Sequence, residues 1–471
     1  MRAAWFGLVF GYAAAVSAAN DGGPLRDLSW GAAPADNAIA YIPFDIGGSL
    51  NDRPNVAALQ SDGNLVIGGY ATTASGTDNA LARITPPHGM LEPGFGTGGR
   101  LRLGVTTNGG ISGLVIMADG RILYTTLLSD TTFAIGRLLA VDGAPDLMFD
   151  FDGRRALAAS AFIPLANVLS PPKIVVQPDK KVVIFAGAGQ TTPDIKVYAV
   201  ATRLKEDGST DTTFGGQGTG YGSYAPANGS SPVAEAFDAV RLSNGQFIVG
   251  GIAYHNGGSG VDIITFRLSE NGVLDTSYGT DGFGFVAFDQ GGSLDDYLTS
   301  LAIDSAGRAV VTGNITDING RPRTAVARLT ASGQPDATFG SGGRVVYEVR
   351  AAAVWEYSNS VATLPDGRIL VGGTSALCAC GGQADAGTLT MFEPNGQINR
   401  FFGANGTERF GSEFGPDAQN LQASSMVVSG DYVYVTGWAN NPIGSNNQDF
   451  ATARVIVPLF RGGFEAAAPA P

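Results

Sequence analysis

Short runs of alternating apolar residues recur along the chain, and pairs of these runs meet at tight turns. Seven such turns are centred on Gly63, Gly120, Lys180, Gly245, Gly307, Gly367 and Gly430. Asp-Gly or Asn-Gly between alternating apolar residues is the strongest short signal for a β-hairpin, because these residues accept the positive φ angles that a two-residue turn requires. The pattern therefore predicts an all-β protein built from hairpins.

A second pattern, an acidic residue followed three places later by an aromatic ring, lies between the hairpins. Seven copies begin at Asp27, Glu92, Asp146, Asp211, Asp275, Asp336 and Asn399, and their rings are Trp30, Phe95, Phe149, Phe214, Tyr278, Phe339 and Phe402. Six steps over the 372 residues from Trp30 to Phe402 give a mean period of 62. Each period predicts four short antiparallel strands, and sheets this small must stack on their neighbours, which radial stacking achieves in a β-propeller.

The two ends of the chain carry complementary fragments of one period. The last period stops after its third strand, at 450–458, and the first motif, at 27–31, is followed by a lone fourth strand, AIAYIPFD. Pairing these fragments closes the ring without leaving open strand edges. We therefore predict a seven-bladed β-propeller of four-stranded antiparallel blades over residues 20–458, in which the N-terminal strand completes the last blade.

The repeated residues have structural roles in this prediction. The motif acid accepts backbone N–H bonds, the ring fills the space between sheets, and the glycine releases the chain into the next strand. Arginines occupy matching third-strand positions at 83, 137, 203, 267, 328 and 454, with Met391 as the exception. A half-buried arginine needs a carboxylate partner, so we expect pairs with the motif acids. A ring of ligand-binding arginines is the alternative.

The recurring form F-A-x-A-R-L-x-x-D-G-x-x-D-x-x-F-G resembles the delta-60 repeat family of exported bacterial proteins, and the resemblance covers residues 27–458. It implies a β-propeller-like fold, and it implies no shared reaction or cofactor. The segment LFRGGFE, within a tail at 459–471, resembles a short C-terminal signature of some exported Gram-negative proteins.

Composition and charge agree with an exported protein. Met1 and Arg2 precede an apolar run at 3–15 and small residues at 16–19, which predicts a signal peptide over residues 1–19 and a periplasmic, cell-surface or extracellular location. Glycine supplies 68 of 471 residues, as expected for many turns. The net charge of -13, without a Lys/Arg cluster, argues against nucleic acid and anionic membranes. No later apolar stretch reaches the ~20 residues of a membrane span, and we expect a monomer.

Several acidic clusters are candidates for cation binding. Asp146, Asp150 and Asp152 resemble part of a calcium loop, but the distal Glu and further oxygen ligands are missing, which favours a turn. Near-identical connections, FDIGGSLND and FDQGGSLDD, contain Asp45, Asp52, Asp289 and Asp296. Turn formation is favoured there too, with cation or hydroxyl binding as the alternative. We expect no cofactor, with calcium as the one open candidate.

Cysteine and histidine are scarce. Cys378 and Cys380 are expected to form a small local disulfide in an oxidising compartment, with free thiols as the alternative. A metal site would need further ligands, and the chain contains only His88 and His255. No G-x-S-x-G motif is present, and we assign no catalytic residue.

One face of the predicted propeller carries the variable loops, which is where function usually resides on a rigid scaffold. Tyr254, Trp355, Tyr357 and Trp438 place aromatic rings there. We therefore predict a non-enzymatic binding module for a glycan or protein partner. The alternatives are a hydrolase or lyase with carboxylates at the channel mouth and a structural envelope protein.

Overall fold

A computed structural model describes most of the propeller region. The described residues are 26–27, 29–31, 39–44, 51–86, 88–106, 109–190, 195–227, 232–254, 260–288, 295–317, 319–349, 353–376, 385–410, 421–440 and 448–457. Within these residues the chain forms β-strands, turns and one 3-10 helix, Ala159–Ala161. No helix among them is long and apolar enough to cross a membrane. The predicted signal peptide and C-terminal tail lie outside the described residues.

The strands are numbered in chain order. They are β1 (Ile39–Ile42), β2 (Arg53–Leu59), β3 (Leu65–Thr73), β4 (Gly76–Thr85), β5 (Met90–Leu91), β6 (Arg100–Thr106), β7 (Ile111–Ile116), β8 (Ile122–Ser129), β9 (Thr132–Leu138), β10 (Arg154–Ala158), β11 (Asn167–Val176), β12 (Val182–Gln190), β13 (Lys196–Leu204), β14 (Tyr221–Tyr224), β15 (Ala234–Arg241), β16 (Phe247–Tyr254), β17 (Val261–Leu268), β18 (Phe283–Val286), β19 (Asp296–Ile303), β20 (Ala309–Thr316), β21 (Pro322–Leu329), β22 (Arg344–Tyr347), β23 (Trp355–Thr363), β24 (Ile369–Ala376), β25 (Asp385–Phe392), β26 (Thr407–Phe410), β27 (Gln422–Ser429), β28 (Tyr432–Asn440) and β29 (Gln448–Ile456).

These strands form seven antiparallel sheets, which confirms the predicted seven-bladed propeller. The first blade holds β2 to β6, with the short β5 and the longer β6 both paired to β4. The next five blades take four consecutive strands each, from β7 through β26. The seventh blade joins β27, β28 and β29 to β1, with Ile39 opposite Ala453 and Ile42 opposite Phe450. The N-terminal strand therefore completes the last blade, as the sequence predicts.

The core is divided among the spaces between blades. Seven apolar clusters each combine buried side chains from two successive blades, and the cluster between the seventh and first blades includes Trp30, Ile42 and Tyr434. First strands of neighbouring blades also contact each other around the whole ring, including β27 against β2. Each blade is thus stabilised by burial against both neighbours rather than by a core of its own.

The motif residues join each blade to the next one. In the third blade, Arg203 Nε donates to Asp211 Oδ2 at 2.9 Å, and its guanidinium lies 5.1 Å from the Phe214 ring centroid. Arg203 Nη1 also donates to the carbonyl oxygen of Glu270 in the fourth blade at 2.9 Å. Gly272, in the same turn as Glu270, faces the Phe214 ring. One arginine therefore pairs with a carboxylate, stacks on an aromatic ring and donates a hydrogen bond to a backbone carbonyl of the next blade.

The same arrangement recurs around the ring. The further arginine, acid and ring sets are Arg83 with Glu92 and Phe95, Arg137 with Asp146 and Phe149, Arg267 with Asp275 and Tyr278, Arg328 with Asp336 and Phe339, and Arg454 with Asp27 and Trp30. The sixth blade differs. Met391 replaces the arginine, Asn399 Nδ2 lies 3.5 Å from its sulfur, and Phe402 is still buried.

We expect Gly272→Ala to destabilise the propeller more than a matched glycine substitution elsewhere. A Cβ at Gly272, where φ is +76°, would lie 2.4 Å from Phe214, whereas a Cβ at Gly342, where φ is +58°, would meet nothing within 4 Å. Both variants carry the strain of a left-handed conformation, but only the first adds an overpacking cost of about 1–3 kcal/mol. Urea unfolding of both variants measures the difference, and equal losses of stability would contradict the expectation.

Candidate functional site

The first strand of each blade lies nearest the central axis. Each of the seven first strands contains a β-bulge, which serves as a common reference position for aligning them. Register shifts occur between Pro54 and Val56, Ile111 and Gly113, Val168 and Lys173, Ala236 and Asp238, Leu298 and Ser300, Ser358 and Ser360, and Ala423 and Ser425. A bulge leaves one residue unpaired and bends the strand. Positions counted from the bulge are therefore equivalent from blade to blade.

A ring of varied side chains occupies the position two residues before the bulged residue. We call this the mouth ring, and its members are Arg53, Glu235, Tyr297, Tyr357 and Gln422, in the first, fourth, fifth, sixth and seventh blades. The residues on either side of each member are buried, while the members themselves are half-buried or exposed. The ring lies at the end of the disc where the blade connections enter, because it lies near the beginning of each first strand.

Buried carboxylates support the mouth ring from the position just before it. Asp52 Oδ2 accepts the N–H of Phe44 at 3.0 Å, and Asp296 Oδ2 accepts the N–H of Phe288 at 2.7 Å. Glu356 Oε1 likewise accepts the N–H of Val349 at 2.9 Å. Each carboxylate ties a first strand to the end of the preceding fourth strand. These contacts give Asp52 and Asp296 a structural role, whereas Asp45 and Asp289 lie outside the described residues.

The fourth and fifth blades bring two tyrosines and two carboxylates together. Tyr297 Oη donates to Asp295 Oδ2 at 3.3 Å, and Asp295 Oδ1 accepts the N–H of Val261 at 3.0 Å. Burial, and then the charges of Asp295, Tyr254 and Glu235, raise the pKa of Tyr297. These four groups therefore share one electrostatic environment, although Tyr254 and Tyr297 remain 41% and 46% exposed.

Glu235 has an unusual position in this group. Burial raises the pKa of its carboxyl, yet it makes no hydrogen bond or ion pair within the part of the chain that the structure describes. Its stem lies beside the third blade, where a Cβ at Gly187 would approach Glu235 Cγ to 3.0 Å and Ser170 Oγ to 2.7 Å. The absence of a side chain at Gly187 thus leaves room for Glu235 at the mouth.

The remaining predicted aromatic residues lie in two other places on the mouth. Trp355 and Tyr357 form a pair in the sixth blade, with ring centroids 5.2 Å apart and a 43° angle between planes. Trp438, in the seventh blade, is covered by Arg53, whose guanidinium carbon lies 4.6 Å from the ring centroid. Arg53 Nε also donates to Gln448 Oε1 at 2.9 Å, which holds the guanidinium in place. One face of the Trp438 indole is therefore covered by Arg53 and is not available to a ligand.

The channel wall beyond the mouth is polar and bonded from blade to blade. Asp238 Oδ2 accepts the N–H of Leu301 at 2.9 Å and the hydroxyl of Ser300 at 3.2 Å. Burial raises the pKa of Asp238, and the charge of Lys173 opposes that shift. Lys173 Nζ in turn donates to the carbonyl oxygen of Ser112 at 3.1 Å. These partners assign Asp238 to the joint between the fourth and fifth blades.

The acidic group in the second blade is separately bonded. Asp146 pairs with Arg137 at 2.7 Å, Asp150 pairs with Arg155 at 3.2 Å, and Asp152 accepts the N–H of Arg154. No group of three His, Cys, Asp or Glu residues is placed to hold a metal ion among the residues that the structure describes. The expectation of no cofactor, with calcium as the open candidate, is not tested by these contacts.

Cys378, Cys380 and His255 lie outside the described ranges, so the predicted disulfide stays untested. The sequence did not single out Glu235, Asp295, Tyr297 or Arg53. Three of these belong to the mouth ring, and aligning the first strands on their bulges is the signal that would have revealed them.

A family model described as a domain of unknown function, DUF5122, β-propeller, matches residues 60–95, 242–278 and 307–339. Each matched segment ends on a motif aromatic residue, namely Phe95, Tyr278 or Phe339. No curated protein matches the chain.

Two solved structures resemble the whole propeller. One is polysaccharide lyase Uly1, with 10% identity, a TM-score of 0.50, and coverage of 89% of this chain and 91% of that one. The other is an ulvan lyase bound to -[GlcA(1-4)Rha3S]-, also with 10% identity and a TM-score of 0.50, covering 89% of this chain and 96% of that one. At this identity the likeness shows the fold alone. The family model supports a β-propeller repeat over the segments that it matches, and the solved structures share the propeller fold.

Proposed function

We propose that this chain is an exported member of the delta-60 repeat family that binds a saccharide at the mouth of its propeller. The binding surface is defined as the mouth arc, which consists of Glu235, Tyr254, Asp295, Tyr297, Trp355 and Tyr357. The observation that carries the proposal is the presence of partly exposed aromatic rings in three successive blades.

Saccharide recognition combines apolar faces with fixed hydrogen-bond partners. Sugar rings offer C–H faces that stack on aromatic side chains, while their hydroxyls bond to carboxylates and phenols. Trp355 and Tyr357 supply adjacent rings, and Asp295 and Tyr297 supply polar atoms already oriented by a hydrogen bond. Because these groups lie on strands of a closed ring or, for Asp295, directly before one, little ordering is needed when a ligand binds. The two polysaccharide lyases of the same fold are compatible with this ligand class.

A hydrolase or lyase is the second candidate, and the pair of carboxylates at the mouth favours it. Glu235 has a raised pKa, as a general acid requires, whereas Asp295 accepts two hydrogen bonds. Release of reducing ends or of unsaturated sugars during incubation with a bound polysaccharide would distinguish catalysis from binding alone.

We expect the double substitution Trp355→Ala and Tyr357→Ala to weaken saccharide binding at least about tenfold, since stacking contacts contribute about 1–3 kcal/mol each. A panel of immobilised polysaccharides identifies a ligand of the wild-type protein, and titration calorimetry with its oligomers measures the affinities. Phe401→Ala is the matched control, because Phe401 is an 87% exposed ring in the same blade at the opposite face of the disc. Equal affinities for the two variants would remove the basis of the proposal.

A further inference from the structure

We infer that the saccharide bound at the mouth arc carries a free amine, and that Glu235 is the residue that selects its positive charge. This inference rests on the proposed saccharide binding and names the class of saccharide. An amino sugar such as glucosamine within an oligomer has the required chemistry, because it combines a stackable ring with an ammonium group.

The first support is the position of Glu235. A carboxylate that is removed from water without a partner is destabilised, and a ligand ammonium would restore the lost interaction as a charge-assisted hydrogen bond. Glu235 is half-buried, and other half-buried or buried carboxylates near the axis already have donors within the protein, such as the N–H of Leu301 on Asp238 and the N–H of Val349 on Glu356. Glu235 has none among the described residues, although burial raises its pKa.

The second support comes from the groups around Glu235. Tyr254 and Tyr297 present partly exposed rings, and a ring face attracts an ammonium through its quadrupole. Asp295 adds a second negative charge beside Tyr297. Among the described residues, the groups whose charges act on the Tyr297 phenol are two carboxylates and another phenol.

Two basic residues of the first strands, Arg53 and Lys173, interact with groups other than Glu235. Arg53, in the mouth ring, stacks on Trp438 and bonds to Gln448 in the seventh blade. Lys173 bonds to the Ser112 carbonyl and acts electrostatically on Asp238. The net charge of -13 also attracts cations to the protein as a whole. A cationic ligand is thus attracted at long range by the net charge and at short range by a carboxylate that has no partner among the described residues.

The test compares two probes that differ only at their nitrogen atoms, a fully deacetylated glucosamine hexamer with free amines and the fully N-acetylated hexamer with neutral acetamides. Titration calorimetry is carried out at low salt and mildly acidic pH, where the amines are protonated. For the wild type we expect the amine form to bind about tenfold or more tightly, the size of one hydrogen bond to a charged group. Glu235→Gln should abolish this preference, so that the ratio of its affinities for the two hexamers falls to about one.

Glu393→Gln is the control with the same change of net charge, because Glu393 lies in a turn at the opposite face. A preference that survives in Glu235→Gln, or that is lost equally in Glu393→Gln, would overturn the inference. Tighter binding of the acetylated hexamer would overturn it as well, while leaving the proposed saccharide binding in place. If neither hexamer nor any polysaccharide of the panel binds, the proposed function itself fails. Thermal melting of each variant verifies that it is folded.

Discussion

Trp30→Ala is expected to reduce the free energy of unfolding by about 3–5 kcal/mol, the usual cost of truncating a buried large aromatic side chain. Trp30 is 1% exposed and lies in the space between the seventh and first blades. Its indole contacts Tyr434 edge-on at 5.4 Å, and Nε1 donates to the carbonyl oxygen of Thr452 at 3.1 Å. The truncation therefore opens a cavity at the joint where the two ends of the chain meet.

Guanidinium unfolding, followed by intrinsic fluorescence and by circular dichroism, measures this effect. Trp355→Ala is the matched control because it also removes a tryptophan, but from the partly exposed mouth of the propeller. We expect the control to lose less than about 1 kcal/mol, as is usual for exposed substitutions. A loss of stability in Trp30→Ala no greater than in the control would show that the N-terminal segment does not close the ring.

Arg203→Met is expected to cost about 3–5 kcal/mol, because it leaves the buried Asp211 carboxylate without its arginine. Arg203 and Asp211 side chains are 2% and 5% exposed. The variant also removes the donor to the Glu270 carbonyl in the next blade. Met391 is the natural counterpart at this position, but its motif residue is Asn399, which carries no charge that needs a partner.

The double variant Arg203→Met, Asp211→Asn is the control for this interpretation. It copies the residues of the sixth blade and removes the carboxylate charge that has lost its arginine, so it should recover much of the stability that the single variant loses. Equal stabilities of the single and double variants would indicate that the charge of Asp211 is unimportant.

Acid should lower the stability that the Arg203–Asp211 ion pair contributes, and it should do so in a defined pH range. Burial opposes ionisation of Asp211, but the hydrogen bonds from Thr213 and the charges of Arg203 and Lys181 outweigh it and lower the pKa of Asp211 to about 2. A carboxyl whose pKa is lower in the folded state contributes stability above its ordinary pKa of 3.8, and the contribution disappears as the pH falls toward about 2. Melting temperatures are measured between pH 5 and pH 2 at ~0.1 M ionic strength, which limits long-range charge effects. They should fall less steeply with decreasing pH for Asp211→Asn than for the wild type.

The repeated contacts explain how much of the fold the sequence predicts. Turn glycines, motif acids and rings act within about ten residues of each other, and local turn geometry is encoded by residue type. Arg203 and Asp211, for example, are close in sequence and pair directly. The sequence also predicts ring closure. The last repeat lacks a fourth strand and the N-terminal segment supplies a lone fourth strand, so the two fragments complete each other.

The mouth could not be predicted in the same way. Tyr254 and Trp438 were selected by residue type within variable loops, but Trp438 is covered by Arg53, which is distant in sequence. Glu235 looks unremarkable along β15, and only the packing of the blades shows that its stem lies beside Gly187 and that it has no partner among the described residues. Which side chains meet at the axis depends on where each first strand bulges, and the bulge follows from pairing with the second strand rather than from a local signal.

The number of blades, their four main strands and the pairing of arginine with the motif acid can be predicted from the residues alone, because they depend on short-range turn chemistry that recurs around the ring. The set of residues that share the mouth follows from the packing of the blades. Glu235, Tyr297 and Tyr357 are about 60 residues apart from blade to blade, and they are neighbours because ring closure and stacking bring equivalent positions of separate repeats to one axis.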